Sequence, residues 1–143
     1  MPLPRASLYA QGENVHVAAW PGSRRNTHDI TPFMAREGRS YVLSVSGLMH
    51  REWIPADVPA AEQIRANASD WMADGGSCIA GPDGRWVIEP VVGKETLLTA
   101  DLDLNLVYRE RQNFDPAGHY SRPDVTRLVV DRRRQATASF KDD

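Results

Sequence analysis

A thiol is the first place to look for nucleophilic chemistry, and this 143-residue chain has one, Cys78. A cysteine attacks as its thiolate, which forms readily only beside a cation, a base or a helix N-terminus. Cys78 stands between Ser77 and Ile79 in a strand-like stretch with no His or Lys adjacent. The surroundings predict a small buried core residue rather than a nucleophile. The densest polar cluster is His119, Tyr120, Arg122 and Asp124. It reads either as the edge of a site or a subunit contact, or as a structural clasp with Arg122 and Asp124 bonded to backbone and Pro123 fixing the chain. Glu37 and Arg39 flank Gly38 at a helix end. A carboxylate there is a candidate acid or base, and a buried ion pair holding the helix to the next strand is the other reading. His16, His28 and His50 are scattered without metal-ligand spacing, so neither a metal nor a cofactor is expected.

Positioning any of these groups requires a core, and the composition permits one. Hydrophobic residues make up 41% and charged residues 25%, the balance of an ordinary globular protein. Seventeen Lys and Arg against nineteen Asp and Glu leave a net charge of -2, so no global basic field gathers nucleic acid or anionic lipid. Arg132-Arg133-Arg134, without aromatic neighbours, reads as a solvated tail. A lone cysteine suits a reducing compartment. No apolar run approaches the roughly 20 residues needed to span a bilayer, and the first residues lack the apolar stretch of a secretory signal. A cytoplasmic protein is the expectation.

Along the chain, Leu3, Ala6 and Ala10 recur at helical spacing, with Gly12 as the closing residue. Val15 to Trp20 is nearly all apolar and predicts a strand buried on both faces. Thr27 or Thr31 caps a helix running to Glu37, and Tyr41 to Val45 is a second strand. The stretch from Leu48 to Asp74, with Pro55 and Pro59, reads as a surface excursion holding a short helix over Ala60 to Ala66. A hairpin follows: Ser77 to Ala80, a Gly81-Pro-Asp-Gly84 turn, then Arg85 to Val92. Thr96 to Ala100 predicts a further strand, and Asp103 caps a helix from Leu104 to about Asn113. Alternating strands and helices indicate an α/β layer. In such layers the strand C-termini border the ligand crevice. Trp20, Pro21 and Gly22 after the first strand, and Ser46, Gly47 and Leu48 after the second, are therefore substrate-pocket candidates, with ordinary loop packing as the alternative.

Four segments, in order, resemble the nitrilase-type carbon–nitrogen hydrolases. They are Leu8-Tyr-Ala-Gln-Gly12, Glu37-Gly-Arg-Ser-Tyr-Val-Leu-Ser44, Gly75-Gly-Ser-Cys-Ile-Ala-Gly-Pro-Asp-Gly84, and Leu98-Thr-Ala-Asp-Leu-Asp103 followed by Gly118-His-Tyr-Ser-Arg-Pro-Asp124. The closing tail resembles nitrilases more than amidases. The resemblance implies an α/β fold, the C-terminal half of an αββα sandwich, over residues 1–131, with 132–143 a charged, disordered tail. It also implies hydrolysis of a non-peptide carbon–nitrogen bond by a cysteine, a glutamate and a lysine. In the family's pattern the nucleophile falls just before the segment matching Met1-Pro-Leu3, and the other two lie further upstream. No residue of 1–143 takes any of the three roles, so the chain alone is expected to be inactive. A non-catalytic association module, packing with a partner half or with itself, is the alternative. Either way the two strands lack a cover and association is expected; the resemblance places its surfaces on the helix at about Leu3 to Gln11 and the C-terminal region.

Overall fold

The computed structural model describes residues 1–133, 136 and 138. Its elements are α1 (Pro2–Tyr9), β1 (Val15–Trp20), α2 (Arg24–Thr27), α3 (Ile30–Gly38), β2 (Tyr41–Ser46), β3 (Leu48–His50), α4 (Ala61–Asn67), β4 (Trp71–Ala80), β5 (Trp86–Val92) and α5 (Leu104–Asn113). The mixture of helices around a sheet is the expected α/β class. The expectation of a disordered tail over 132–143 falls mostly outside the described residues.

The five strands form one sheet. β1 runs parallel to β2, from Val15 opposite Tyr41 to Trp20 opposite Ser46. β2 and β3 both lie antiparallel to the long strand β4, β2 opposite Cys78–Ala80 and β3 opposite Trp71–Asp74. β5 returns along the other edge of β4. The connecting turn is built as its residues dictate: the Gly84 N–H donates to Gly81 O (2.8 Å), and Asp83 Oδ1 accepts from the Arg85 N–H (3.0 Å).

Register divides the sheet into two faces, because paired residues point the same way and neighbours along a strand point oppositely. On one face Val42 and Ala80 meet Met34 and Ala35 of α3, with Ala18, Ile30 and Trp86 packed at the margin. That face is the core. On the other lie Tyr41, Val15, Val17, Leu43, Val45 and Ile79; Tyr41 and Ile79 are buried, but among the described residues no helix covers Val15, Val17 and Val45, which are 40%, 65% and 57% exposed. The expectation that β1 is buried on both faces is thus corrected. Its six residues alternate between exposed and half-buried, because β1 is an edge strand with one face bare.

Two other elements differ from expectation. The excursion from Leu48 to Asp74 contains β3 and the first half of β4, which Met72 and Asp74 disguise with their polar and mixed alternation. Thr96 to Ala100 is not a strand. Thr96–Leu98 instead lies across the bare face, beside Leu43, Val45 and Ile79, without a ladder partner. A β-prone segment becomes a strand only where an edge accepts its backbone.

The helices are tied down by polar contacts. α1 packs Tyr9 against Gly38, where an added Cβ would collide with the ring. Glu37 Oε2 accepts from Arg5 Nη2 (2.9 Å) and from Tyr9 Oη (2.8 Å). Arg39, in the left-handed region at the end of α3 (φ +49°), pairs with Glu110 of α5 (2.9 Å) and lies over the Phe114 ring. Glu37 and Arg39 do not pair with each other. Only two residues apart, they reach different helices. α5 begins at Asp103, whose Oδ1 accepts from the Asn105 N–H (3.0 Å). It is fixed further by Tyr41 Oη donating to Asp103 O (3.1 Å), Arg111 donating to Asn14 Oδ1 (3.0 Å), and fully buried Val107.

Candidate functional site

The parallel pairing of β1 and β2 brings their C-terminal ends together, Trp20 opposite Ser46. The two following loops touch. Gly22 (φ +138°) is buried where a side chain would run into Ala73 of β4 and crowd Gly47 O; its carbonyl accepts from Asn26 Nδ2. Only glycine fits both that conformation and that space. Pro21 and Gly47 are exposed.

Trp20 turns toward the covered face. Its Nε1 donates to Ser44 Oγ (3.1 Å), which shares a hydrogen bond with Thr31 Oγ1 (2.7 Å), and Cys78 Sγ lies 3.5 Å from the same threonine oxygen. Thr27 Oγ1 donates to Gly76 O (2.7 Å) close by. This buried seam of hydroxyls joins α2 and α3 to the sheet, and each partner is satisfied within it, as buried polar groups require. Strand and helix patterning gave no sign of it, since Thr and Ser at core positions look like surface residues. Cys78 is buried in the seam, and burial pushes its thiol pKa up, only partly offset by the hydroxyls of Thr31, Thr27 and Ser44. A raised thiol pKa is the opposite of what a nucleophile needs. The sequence expectation of a core cysteine agrees with this.

Beside the end of β2 a cavity of about 380 Å³ opens on the bare face. Ser46 and Leu48 line it; Trp20, Pro21, Gly22 and Gly47 do not. Further walls come from residues that sequence reasoning passed over, among them Trp53, Ser77, Val91 and Leu98, with Lys94 and Glu95 bringing charge to the rim. Ser77 Oγ accepts from the Ser46 N–H (2.9 Å) and donates to Ser46 O (3.2 Å), pinning the end of β2 to β4. Trp53 stands edge-on to Trp71 (centroids 5.6 Å, 87°) and near His50 (6.1 Å). Its position in a Pro-flanked stretch disguised it as loop.

His119, Tyr120, Arg122 and Asp124 lie after α5, all exposed. Arg122 and Asp124 bond each other, Nε to Oδ1 at 2.8 Å and Nη2 to Oδ2 at 2.7 Å. The guanidinium holds the Asp124 carboxyl below its usual pKa. Tyr120 meets the Phe114 ring at 4.8 Å and the His119 ring at 5.0 Å, both tilted. The cluster is thus a local one, linked to the body through Phe114 and Arg39. Among the described residues no group of three or more His, Cys, Asp or Glu converges on a point, and no helix is long and apolar enough to cross a membrane.

No family model matches the chain. Individual proteins do. It is 38% identical over 143 residues, 99% of its length, to Nitrilase 2 from an unknown prokaryotic organism, of which it covers 44%. It is 37% identical over 131 residues to an aliphatic nitrilase of Sinorhizobium fredii, with 92% of this chain and 42% of the relative aligned. An arylacetonitrilase of Macrophomina phaseolina is 33% identical over 153 residues, 94% of this chain and 43% of that one. The chain therefore spans less than half the length of the curated relatives it matches. Matched almost from end to end to part of a nitrilase, and with mixed α/β architecture, the chain is similar to the nitrilases and consistent with a C-terminal fragment of one.

Proposed function

We propose that residues 1–143 serve as the C-terminal portion of a cytoplasmic nitrilase-like hydrolase that converts a nitrile to a carboxylic acid and ammonia. In that reaction a cysteine sulfur adds to the nitrile carbon, and two waters are consumed as ammonia and then the acid leave. This stretch contributes walls and a core rather than the nucleophile: its one thiol is buried, raised in pKa and enclosed by hydroxyls. The cysteine, glutamate and lysine then come from outside residues 1–143.

The observation that carries the reading is the bare sheet face. Val15, Val17 and Val45 form an apolar strip on strands whose other face packs toward the core around Val42. Uncovered apolar sheet is unfavourable by about 25 cal/mol per Å² left wet, and a two-sheet sandwich supplies the missing layer. A complementary half-domain is the partner proposed for that face, and self-association is its substitute when the half is absent.

The test is complementation. The chain alone should hydrolyse neither nitriles nor amides. Mixed with the remaining portion of one of the relatives, expressed separately, it should release ammonia from a nitrile. Turnover by the chain alone that disappears in Cys78→Ala would sink the proposal.

A further inference from the structure

We propose that the strap from Thr96 to Leu102 is the first strand of the missing layer, and that an extended strand from the portion outside residues 1–143 docks by pairing with its backbone. The inference rests on the half-domain reading above and names where and how that partner attaches.

The strap is held at both ends. The Gly93 N–H donates to Asp74 O (2.8 Å) just after β5, and Tyr41 Oη donates to Asp103 O (3.1 Å) just before α5. Between these anchors the residues Thr-Leu-Leu-Thr-Ala have strand composition, bracketed by Lys94-Glu95 and Asp101. Yet among the described residues no backbone N–H from Glu95 to Leu102 donates to any group. The one carbonyl engaged, Leu97 O, accepts only from Thr96 Oγ1 (3.5 Å).

Position gives those backbone groups a use. Thr96–Leu98 lies over Leu43, Val45 and Ile79 on the bare face, across a gap of about 210 Å³. Leu98 is half-buried there, whereas Leu97 is 87% exposed. Sheets of a sandwich stack about 10 Å apart, with side chains interdigitating between them. A strand laid on one sheet therefore belongs to the next layer. Its N–H and C=O groups point sideways within that layer, where a neighbouring strand pairs with them.

Three observations select the occupant. More than half of each matched relative lies outside the matched region, which is where further strands are available. The strap is continuous with the uncovered Val17 and Val45, which the same partner covers. Its edge is also unguarded. Edges that stay unpaired carry charge, proline or a bulge; β5, paired on one side only, has Glu89 and Pro90, and Thr96 to Ala100 has neither kind of residue.

Amide hydrogen exchange, resolved to single residues, reads the pairing on residues 1–143 co-expressed with the remaining portion of the Sinorhizobium fredii relative. N–H groups alternate between the two edges of a strand. At least every second amide from Thr96 to Leu102 should therefore exchange about a hundredfold more slowly than in an unstructured chain. Thr99→Pro and Ala100→Pro each delete one N–H, on opposite edges, and at least one of them should lower recovery of the complex about tenfold. Thr99→Ala should not. Neither proline should alter the far-ultraviolet spectrum of the chain alone, since the strap joins no ladder within it. Strap amides that all exchange at the unstructured rate in the complex, or full recovery of both proline variants, overturn the proposal. Ammonia release from a complex without strap protection sinks the strap alone. Strap protection without ammonia release sinks the hydrolase reading, and portions that do not associate sink both.

Discussion

The two faces of one sheet differ more than any two elements of the chain. On the covered face Val42 is fully buried among Met34, Ala35 and Ala80, and behind them a seam of hydroxyls is satisfied bond by bond. On the opposite face, one residue along the same strands, Val17 and Val45 are more than half exposed. The covered face is made by sequence neighbours: α2 and α3 connect the parallel strands β1 and β2, and α3 packs on β2 and β4. The bare face has no such neighbour within the described residues. The same residue type, valine in a strand, therefore contributes to folding on one side and to association on the other.

That contrast can be broken first with charge. Val42→Asp places an unpaired carboxylate in the core and should destabilise by about 3–5 kcal/mol, enough to abolish the cooperative transition. Val17→Asp should change the midpoint of denaturant unfolding by less than about 0.5 kcal/mol while weakening assembly and complementation. Equal effects of the two would erase the distinction between the faces. A second, smaller effect sharpens the covered side. Thr31→Val keeps the shape but removes the hydroxyl shared by Ser44 and Cys78, and urea titration should report a loss of about 1–2 kcal/mol.

Polar ties between helices and sheet come next in size. Asp103→Ala removes the cap of α5 and should cost about 1 kcal/mol, read as a shift in thermal midpoint. The last effect depends on pH. Burial, with the Glu37 hydrogen bond, pushes the Tyr9 phenol up to about 12 from an ordinary value near 10. A group whose folded pKa is raised adds stability that is complete below the unfolded value and is lost as pH rises through the folded one. Thermal midpoints should therefore fall between about pH 10 and 12, and Tyr9→Phe should flatten that fall. An unchanged slope in the variant would show that Tyr9 is not the group responsible.

How much of this was legible in the sequence follows the same division. β1, β2, the hairpin of β4 and β5, and capped α5 could be read because periodicity, turn residues and the Asp103 cap are local signals. The burial of Cys78 could be read because no activating group stands near it in sequence. What escaped depends on partners distant along the chain. β3 and the start of β4 need each other to become strands, and Thr96 to Ala100 has strand composition but no edge to join. Glu37 and Arg39 are close in sequence, yet each finds its counter-charge on another helix, Arg5 on α1 and Glu110 on α5. Of the residues around the cavity beside β2, the rule about strand ends names Ser46 and Leu48. Trp53 and Ser77 were not, since only the fold brings them to the same cavity.

The central claim, that the bare face is a packing surface awaiting its layer, is tested most directly by sedimentation velocity at micromolar concentration on the chain and on Val17→Asp. The account predicts dimers or larger assemblies for the unaltered chain, and a shift toward monomer in Val17→Asp with the far-ultraviolet spectrum of the sheet retained. A monomeric, cooperatively folding unaltered chain would contradict it.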